Sequence, residues 1–138
     1  MIRTTGFQKL LIVTSLATFA LIVLGGVVRV TESGLGCPDW PRCHGQFIPP
    51  LEREVLIEYS HRLVAMTVGF LILATTIFAW RSYRSEPTVL IPASLALILL
   101  IVQVLLGAVT VNLELPAEIV AAHLGVALAL LATLLIAT

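Results

Sequence analysis

Three side chains that can do chemistry stand together where a long apolar stretch begins. Glu58 precedes His61 by three positions and Arg62 by four, so on a helix the three side chains share one face. No charged residue occurs from position 63 to position 80, which marks the stretch as a membrane helix. Ionisable groups at the mouth of a membrane helix are costly to place there, and they therefore indicate a functional site.

A second histidine, His123, lies near the start of a later apolar stretch. Imidazole ligates iron, copper and zinc, and two imidazoles from two helices can approach one iron from opposite faces. An apolar interior suits a flat macrocycle, and helical bundles commonly hold cofactors between facing helices. The alternative is that each histidine only hydrogen-bonds across helices as a packing contact. Two histidines at matched positions favour haem ligation by His61 and His123.

The charged residues near His61 each allow two interpretations. Glu58 can orient the imidazole, accept a proton or stabilise a developing positive charge. Alternatively, it forms an ion pair with Arg62 or complements the helix dipole. Arg29 and Arg62 sit near the same predicted membrane boundary. Each can pair with a haem propionate in a forked geometry, or it can simply extend to the membrane interface.

Cys37 and Cys43 both lie in the longest polar segment. Covalent haem attachment needs Cys-x-x-Cys-His, a pattern that Cys43-His44 does not provide. Zinc binding with His44 lacks an obvious fourth ligand. A thiol–disulfide oxidoreductase would want a Cys-x-x-Cys pair, and the sequence has none. We expect a disulfide across the loop, and exposed or strained disulfides of this kind are redox-labile.

The composition is that of a membrane domain. Of the 138 residues, 59% are hydrophobic and 12% are charged, and the mean hydropathy is +1.06. Soluble domains carry roughly 25% charged residues, so this chain has too little polar surface for water. The net charge is zero and no basic patch is present, which excludes a nucleic-acid partner. We expect a single membrane domain over residues 1–138, surrounded by lipid.

Four apolar stretches are long enough to cross a bilayer core as helices, which takes about 20 residues each. The sequence therefore predicts an all-α integral membrane four-helix bundle. A polar loop rich in glycine and proline, residues 31–55, separates the first two helices. The predicted helices cover about residues 10–30, 56–80, 89–111 and 117–138.

An internal repeat relates the two halves of the chain. The sequence LGGVVRV (24–30) aligns without gaps with LGAVTVN (106–112) at an offset of 82 residues. Each segment ends a helix and is followed by a turn-rich connection and a helix that carries a histidine. Two helix–loop–helix units related by an axis along the membrane normal make the second and fourth helices symmetry mates. Their histidines then face the same central space at similar depth.

Basic residues flank the helices unevenly, and loops rich in Lys and Arg stay in the cytoplasm. We therefore expect both termini in the cytoplasm and the cysteine loop outside the plasma membrane, where a disulfide persists. The basic residues of the predicted cytoplasmic side are Arg3, Lys9, Arg81 and Arg84.

Two motifs together resemble a known family. The loop sequence GLGCPDWPRCHG (34–45) and the helix start EYSHR (58–62) resemble the amino-terminal half of haem A synthase. The resemblance continues through QVLLGAVTV (103–111) and His123, and so covers nearly the whole chain. The paired-cysteine loop and the Glu-x-x-His-Arg pattern together are more specific than either motif alone.

The resemblance implies an enzyme that oxidises a methyl substituent of haem O to a formyl group, giving haem A for terminal oxidases. The usual route is successive hydroxylation to a geminal diol that loses water. The resemblance implies that His61 and His123 flank the haem iron and that Glu58 is the functional carboxylate. It also implies that Cys37 and Cys43 form the disulfide of the outer loop. Haem O synthase and an electron donor would be partners.

The chain departs from the family pattern in its length. The usual member has two four-helix halves with two histidine pairs; one half holds haem b and the other receives haem O. This chain resembles the receiving half and carries one pair. We therefore expect either a short form that assembles as a homo-oligomer or one half that is inactive without a second. A membrane b-type cytochrome or haem carrier without ring chemistry is the alternative from another class.

Overall fold

The computed structural model describes residues 5–138, over which the chain is all-helical. Within that range no β-strand forms, and Cys43 and Gln46 pair in an isolated bridge. The predicted all-α fold with four long helices is confirmed. Arg3, which entered the prediction of orientation, lies outside the described residues. The helices are α1 (Gly6–Val30), α2 (Arg53–Ser82), α3 (Pro87–Asn112) and α4 (Ala117–Ile136), and a short 3₁₀ helix (Ser33–Leu35) follows α1.

The first three helices begin before the apolar stretches that predicted them. Thr5 and Gln8 cap α1 reciprocally, because Gln8 N–H donates to Thr5 Oγ1 (3.2 Å) and Thr5 N–H donates to Gln8 Oε1 (3.0 Å). Pro87 opens α3, where its missing N–H costs least. The first turn of α2 is polar and starts at Arg53. Hydropathy detects only the part of a helix that crosses the membrane, so these polar first turns fall outside the predicted ranges.

The helices pack in a ring, in which α1 contacts α2, α2 contacts α3, α3 contacts α4 and α4 contacts α1. Helices α2 and α4 therefore occupy diagonal corners of the bundle, and so do α1 and α3. Two copies of a helix–loop–helix unit related by a two-fold axis produce this arrangement. The two histidine-bearing helices consequently face each other across the bundle axis.

The main hydrophobic core lies in the half of the bundle near the α2–α3 connection. There the rings of Phe7 and Tyr83 pack with centroids 4.7 Å apart, and Thr76 Oγ1 donates to the Ala93 carbonyl at 3.0 Å. The other half, which we call the loop end, is closed by the α3–α4 connection and by the disulfide loop (residues 31–52). The core residues are Phe7, Leu11, Val68, Ile72, Ala79, Ala93, Ala96, Leu130, Leu134 and Ala137.

The outward faces of the helices are apolar. Leu16, Phe70 and Ile98 are 64%, 65% and 57% exposed, respectively. Each of the four helices is long and apolar enough to cross a membrane. Apolar surface of this extent is unfavourable in water and favourable against lipid tails, so the bundle is built for a bilayer.

Candidate functional site

His61 of α2 and His123 of α4 lie at the loop end on diagonal helices. Both imidazoles are partly buried, and the Nδ1 atom of each is buried without a hydrogen-bond partner. Neither Nε2 atom makes a hydrogen bond with residues 5–138, and neither is as fully buried as Nδ1, so both are uncommitted within the described residues. The structure therefore brings the two predicted histidines to one end of the bundle.

Each histidine packs against a glycine of the preceding helix. A Cβ atom at Gly25 of α1 would lie 3.2 Å from His61 Cε1, and a Cβ atom at Gly107 of α3 would lie 3.5 Å from His123 Cε1. Gly25 and Gly107 are equivalent positions of the internal repeat, 82 residues apart. The repeat is thus present in the packing as well as in the sequence. Sequence alignment pairs the two glycines but does not show what either contacts.

Gln103 fastens α3 to α4 at the level of His123. Its Nε2 donates to the His123 backbone carbonyl at 3.0 Å, and its Oε1 is buried without a partner among the described residues. A side-chain amide that bridges two helices in an apolar interior helps to fix their relative position. The hydrogen bond from Gln103 on α3 therefore anchors the backbone of α4 at His123.

Glu58 and Arg62 form an ion pair one turn apart on α2. Arg62 Nε donates to Glu58 Oε1 at 2.9 Å, and the side chains are 14% exposed for Arg62 and 7% exposed for Glu58. The ion pair that the spacing allowed is therefore present. It uses only one carboxylate oxygen: Glu58 Oε2 takes no hydrogen bond from the described residues and is not fully enclosed. Ion pairing thus leaves the second oxygen available for chemistry.

Arg62 also holds the disulfide loop. Its Nη1 donates to the carbonyls of Asp39 (2.6 Å) and Arg42 (2.8 Å), and its Nη2 donates to the carbonyl of Cys37 (2.8 Å). With the bond to Glu58, one guanidinium makes four hydrogen bonds and keeps a single N–H for any further partner. No sequence pattern predicts these partners, because every residue carries a backbone carbonyl.

The disulfide loop folds around its bridge and around Asp39. Cys37 and Cys43 are buried and joined by a disulfide, which confirms the predicted bridge and removes the thiolates that zinc binding would need. The Asp39 carboxylate accepts hydrogen bonds from the backbone N–H groups of Gly45 (2.8 Å) and His44. These N–H groups, that of Gly45 above all, hold the pKa of Asp39 below its usual value of 3.8.

Arg29 stands exposed at the end of α1 and lines a cleft of about 270 Å³ at the loop end. The cleft lies between the 3₁₀ helix and the α3–α4 connection, and Glu32 and Glu114 share its wall. The Arg29 side chain makes no hydrogen bond with residues 5–138, so its guanidinium is available to a carboxylate ligand. The two arginines therefore differ: Arg29 makes no side-chain hydrogen bond with the described residues, whereas Arg62 makes four.

These residues suit a haem better than a small metal site. Across residues 5–138, no three or more His, Cys, Asp or Glu side chains converge as a protein-only zinc site requires. Two imidazoles on diagonal helices, each with an Nε2 that makes no hydrogen bond with residues 5–138, would provide two nitrogen donors for a haem iron. The residues present therefore fit the group that the histidine pair predicts.

Comparison with known proteins identifies similar sequences among oxidase assembly proteins. The family described as "Cytochrome oxidase assembly protein" matches residues 8–56 and 51–138. "Heme A synthase" of Exiguobacterium sibiricum is 38% identical over 136 residues, which cover 95% of this chain and 46% of that protein. The protein of the same name from Bacillus licheniformis is 38% identical over 128 residues, or 92% of this chain and 42% of the relative. The chain spans less than half the length of these curated relatives.

Proposed function

The chain belongs to the haem A synthase family of cytochrome oxidase assembly proteins, and on this premise we propose that it converts haem O to haem A. The proposed reaction oxidises a methyl substituent of haem O to a formyl group, for the assembly of a terminal oxidase. The observation that carries the proposal is the histidine pair, His61 and His123, at one end of a membrane bundle on diagonal helices. Family membership supports the proposed reaction, and the two histidines support the binding of a haem at the loop end.

His61 and His123 would hold the iron of a bound haem through their Nε2 atoms. A bound haem supplies the redox chemistry that no protein side chain here provides. The burial of Nδ1, together with the lack of any hydrogen bond between Nε2 and residues 5–138, supports this assignment of the nitrogens. The apolar helices α1 to α4 exclude water from the ring and so limit side reactions.

Glu58 is the proposed functional carboxylate. In the dehydration of a geminal diol to the formyl group, one hydroxyl loses its proton while the other leaves as water, and a buried carboxylate one turn from His61 would take up the first proton and return it to the leaving hydroxyl. Arg62 binds Glu58 Oε1 and keeps that oxygen in place. The second oxygen, Oε2, is the one that remains to take a proton.

Arg29 and Arg62 are the proposed contacts of the haem propionates. Arg29 is exposed at the loop end and unoccupied by residues 5–138, which supports a forked pairing with a carboxylate. Arg62 has a single N–H left, so its share in propionate binding is one hydrogen bond. Most of the hydrogen bonds of Arg62 therefore bind the disulfide loop and Glu58.

The loop end faces outside the plasma membrane in this proposal, and both termini face the cytoplasm. Arg81 and Arg84 at the opposite end of α2 support this orientation. The disulfide also supports it, because such bridges persist in oxidising compartments. Cys37 and Cys43 are 0% and 1% exposed, so a redox partner reaches the bridge only after the loop opens.

The chain requires a haem O supply from a synthase, an electron donor and a second four-helix unit in this proposal. The second unit is either a further copy of this chain or another half, and it would bind haem b. Relatives more than twice as long as the matched region support this part of the proposal. A membrane b-type cytochrome or haem carrier is the second candidate, since a single histidine pair is enough to bind one haem without changing it.

Pigment analysis tests the proposal. The chain is expressed in membranes that make haem O but lack haem A synthase, and the extracted haems are separated by chromatography. We expect haem A from the wild-type chain and none from His61→Ala. Recovery of haem B and haem O alone, with haem binding that still depends on His61, would overturn the enzyme proposal and favour the carrier. A second arm with the missing half co-expressed shows whether one unit suffices.

A further inference from the structure

The way in which His61 is held differs from the usual support of a metal-binding histidine. A ligating imidazole normally donates its other N–H to a carboxylate, a carbonyl or water, and this bond fixes the ring orientation. The Nδ1 atoms of His61 and His123 have no such partner among residues 5–138, although both are buried. Some other contact must set the rotation of each ring.

Backbone packing provides that contact for His61. The ring edge at Cε1 lies against α1 at Gly25, where a Cβ atom would come within 3.2 Å of Cε1, 3.8 Å of Nδ1 and 4.0 Å of Nε2. The three ring atoms nearest to this point form the Cε1 edge, so this edge of the imidazole faces α1 at Gly25. A separation of 3.2 Å is tighter than nine in ten natural Cβ contacts, so any side chain at this position would require the His61 ring to shift.

The next residue shows that this closeness is specific. Gly26 is also a glycine on α1, and a Cβ atom there would have nothing within 4 Å. The second repeat has the same arrangement in a looser form, because a Cβ at Gly107 would meet His123 Cε1 at 3.5 Å, an ordinary van der Waals distance. Each histidine ring therefore packs against a glycine of the preceding helix, and His61 is packed more closely than His123.

We propose that Gly25 is a positioning residue for His61, whose ring orientation it sets through backbone contact where a hydrogen bond to Nδ1 is lacking. The proposal rests on haem binding by His61, as proposed above. Gly107 does the same for His123 with more clearance. A methyl group at Gly25 would displace the ring by a few tenths of an ångström, whereas the same group at Gly26 or Gly107 would not.

The test compares glycine-to-alanine variants of the full chain in detergent, titrated with haem. We expect Gly25→Ala to weaken haem binding about tenfold, as the loss of an orienting contact around a metal ligand does. We also expect a shifted low-spin signal in the electron paramagnetic resonance spectrum of the ferric haem, which reports the imidazole orientation. Gly26→Ala is the matched control and should leave both readouts at their wild-type values. Gly107→Ala should stay close to wild type.

The outcomes separate this inference from the function on which it rests. If His61→Ala leaves haem affinity and spectrum unchanged, His61 is not a ligand and the proposed function loses its main support. If His61→Ala abolishes binding while Gly25→Ala and Gly26→Ala behave alike, the ligand stands and the positioning role is refuted. Should Gly25→Ala not accumulate, Gly107→Val tests the equivalent contact, because its methyl groups add bulk to a Cβ that would already lie 3.5 Å from His123 Cε1. Its control is Gly125→Val on α4, where a Cβ would meet nothing within 4 Å. Haem binding and a spectrum equal to those of this control would refute the positioning role.

Discussion

Arg62 Nη2 donates to the backbone carbonyl of Cys37 at 2.8 Å, so the helix that carries His61 is tied directly to the disulfide. The same guanidinium binds Glu58 through Nε. The loop, the carboxylate and the first turns of α2 thus form one connected unit. A substitution in any part of this unit should therefore alter the stability or position of the other parts.

Replacing Arg62 tests that connection. Arg62→Ala leaves a buried carboxylate without its partner, and breaking a pair of this kind costs about 3 kcal/mol of unfolding free energy. Arg62→Lys should recover only part of this loss, because an ammonium group cannot reproduce the forked contacts to three carbonyls. Denaturant unfolding in detergent micelles measures both. Arg53→Ala, at the exposed first residue of α2, is the control and should change stability by less than about 0.5 kcal/mol.

Glu58→Gln should abolish haem A formation without removing haem. The amide keeps the shape of the carboxylate but cannot accept a proton, so we expect the rate to fall at least about 100-fold. Pigment chromatography gives the rate, and the absorption spectrum gives the haem content. Glu54→Gln, one turn earlier and exposed, should behave like wild type. Full activity in Glu58→Gln would show that the carboxylate serves only the ion pair with Arg62.

His123→Ala should remove one axial ligand and convert a low-spin haem spectrum into a high-spin one. The expectation follows from the proposal that His61 and His123, on the diagonal helices α2 and α4, hold one haem between them. His44→Ala is the control, since His44 Nε2 is paired with the Gly36 carbonyl in the disulfide loop. An unchanged spectrum and unchanged haem content in His123→Ala would mean that the two histidines do not share a haem.

The disulfide loop should open in acid through Asp39. Its pKa is held below 3.8 in the folded loop, so its stabilising contribution is complete above that pH and is lost as the pH falls through the lower, folded value. We expect the Cys37–Cys43 bridge to resist a phosphine reductant at neutral pH and to become more accessible only as the pH falls below 3.8, through the lower pKa of Asp39 in the folded loop. Asp39→Asn should raise the reduction rate at neutral pH and flatten its acid dependence. Glu52→Gln, exposed at the end of the loop, should leave the profile unchanged.

The sequence by itself determined the features that depend on composition or on neighbours within one helical turn. Hydropathy specified four membrane helices, because roughly 20 apolar residues have no stable alternative in a bilayer. The spacing of Glu58 and Arg62 specified their ion pair, because residues four apart on a helix are adjacent. Two cysteines in a turn-rich loop specified the bridge.

Only the tertiary structure decided which distant groups meet. Packing of α1 against α2 places Gly25 beside His61, and no local pattern encodes a contact between residues that far apart in the chain. The three loop carbonyls bound by Arg62 were equally unpredictable, since backbone carbonyls are identical at every position. The sequence names the chemical groups of this protein, whereas the geometry that joins them arises from helix packing, which sums many weak contacts over the whole bundle.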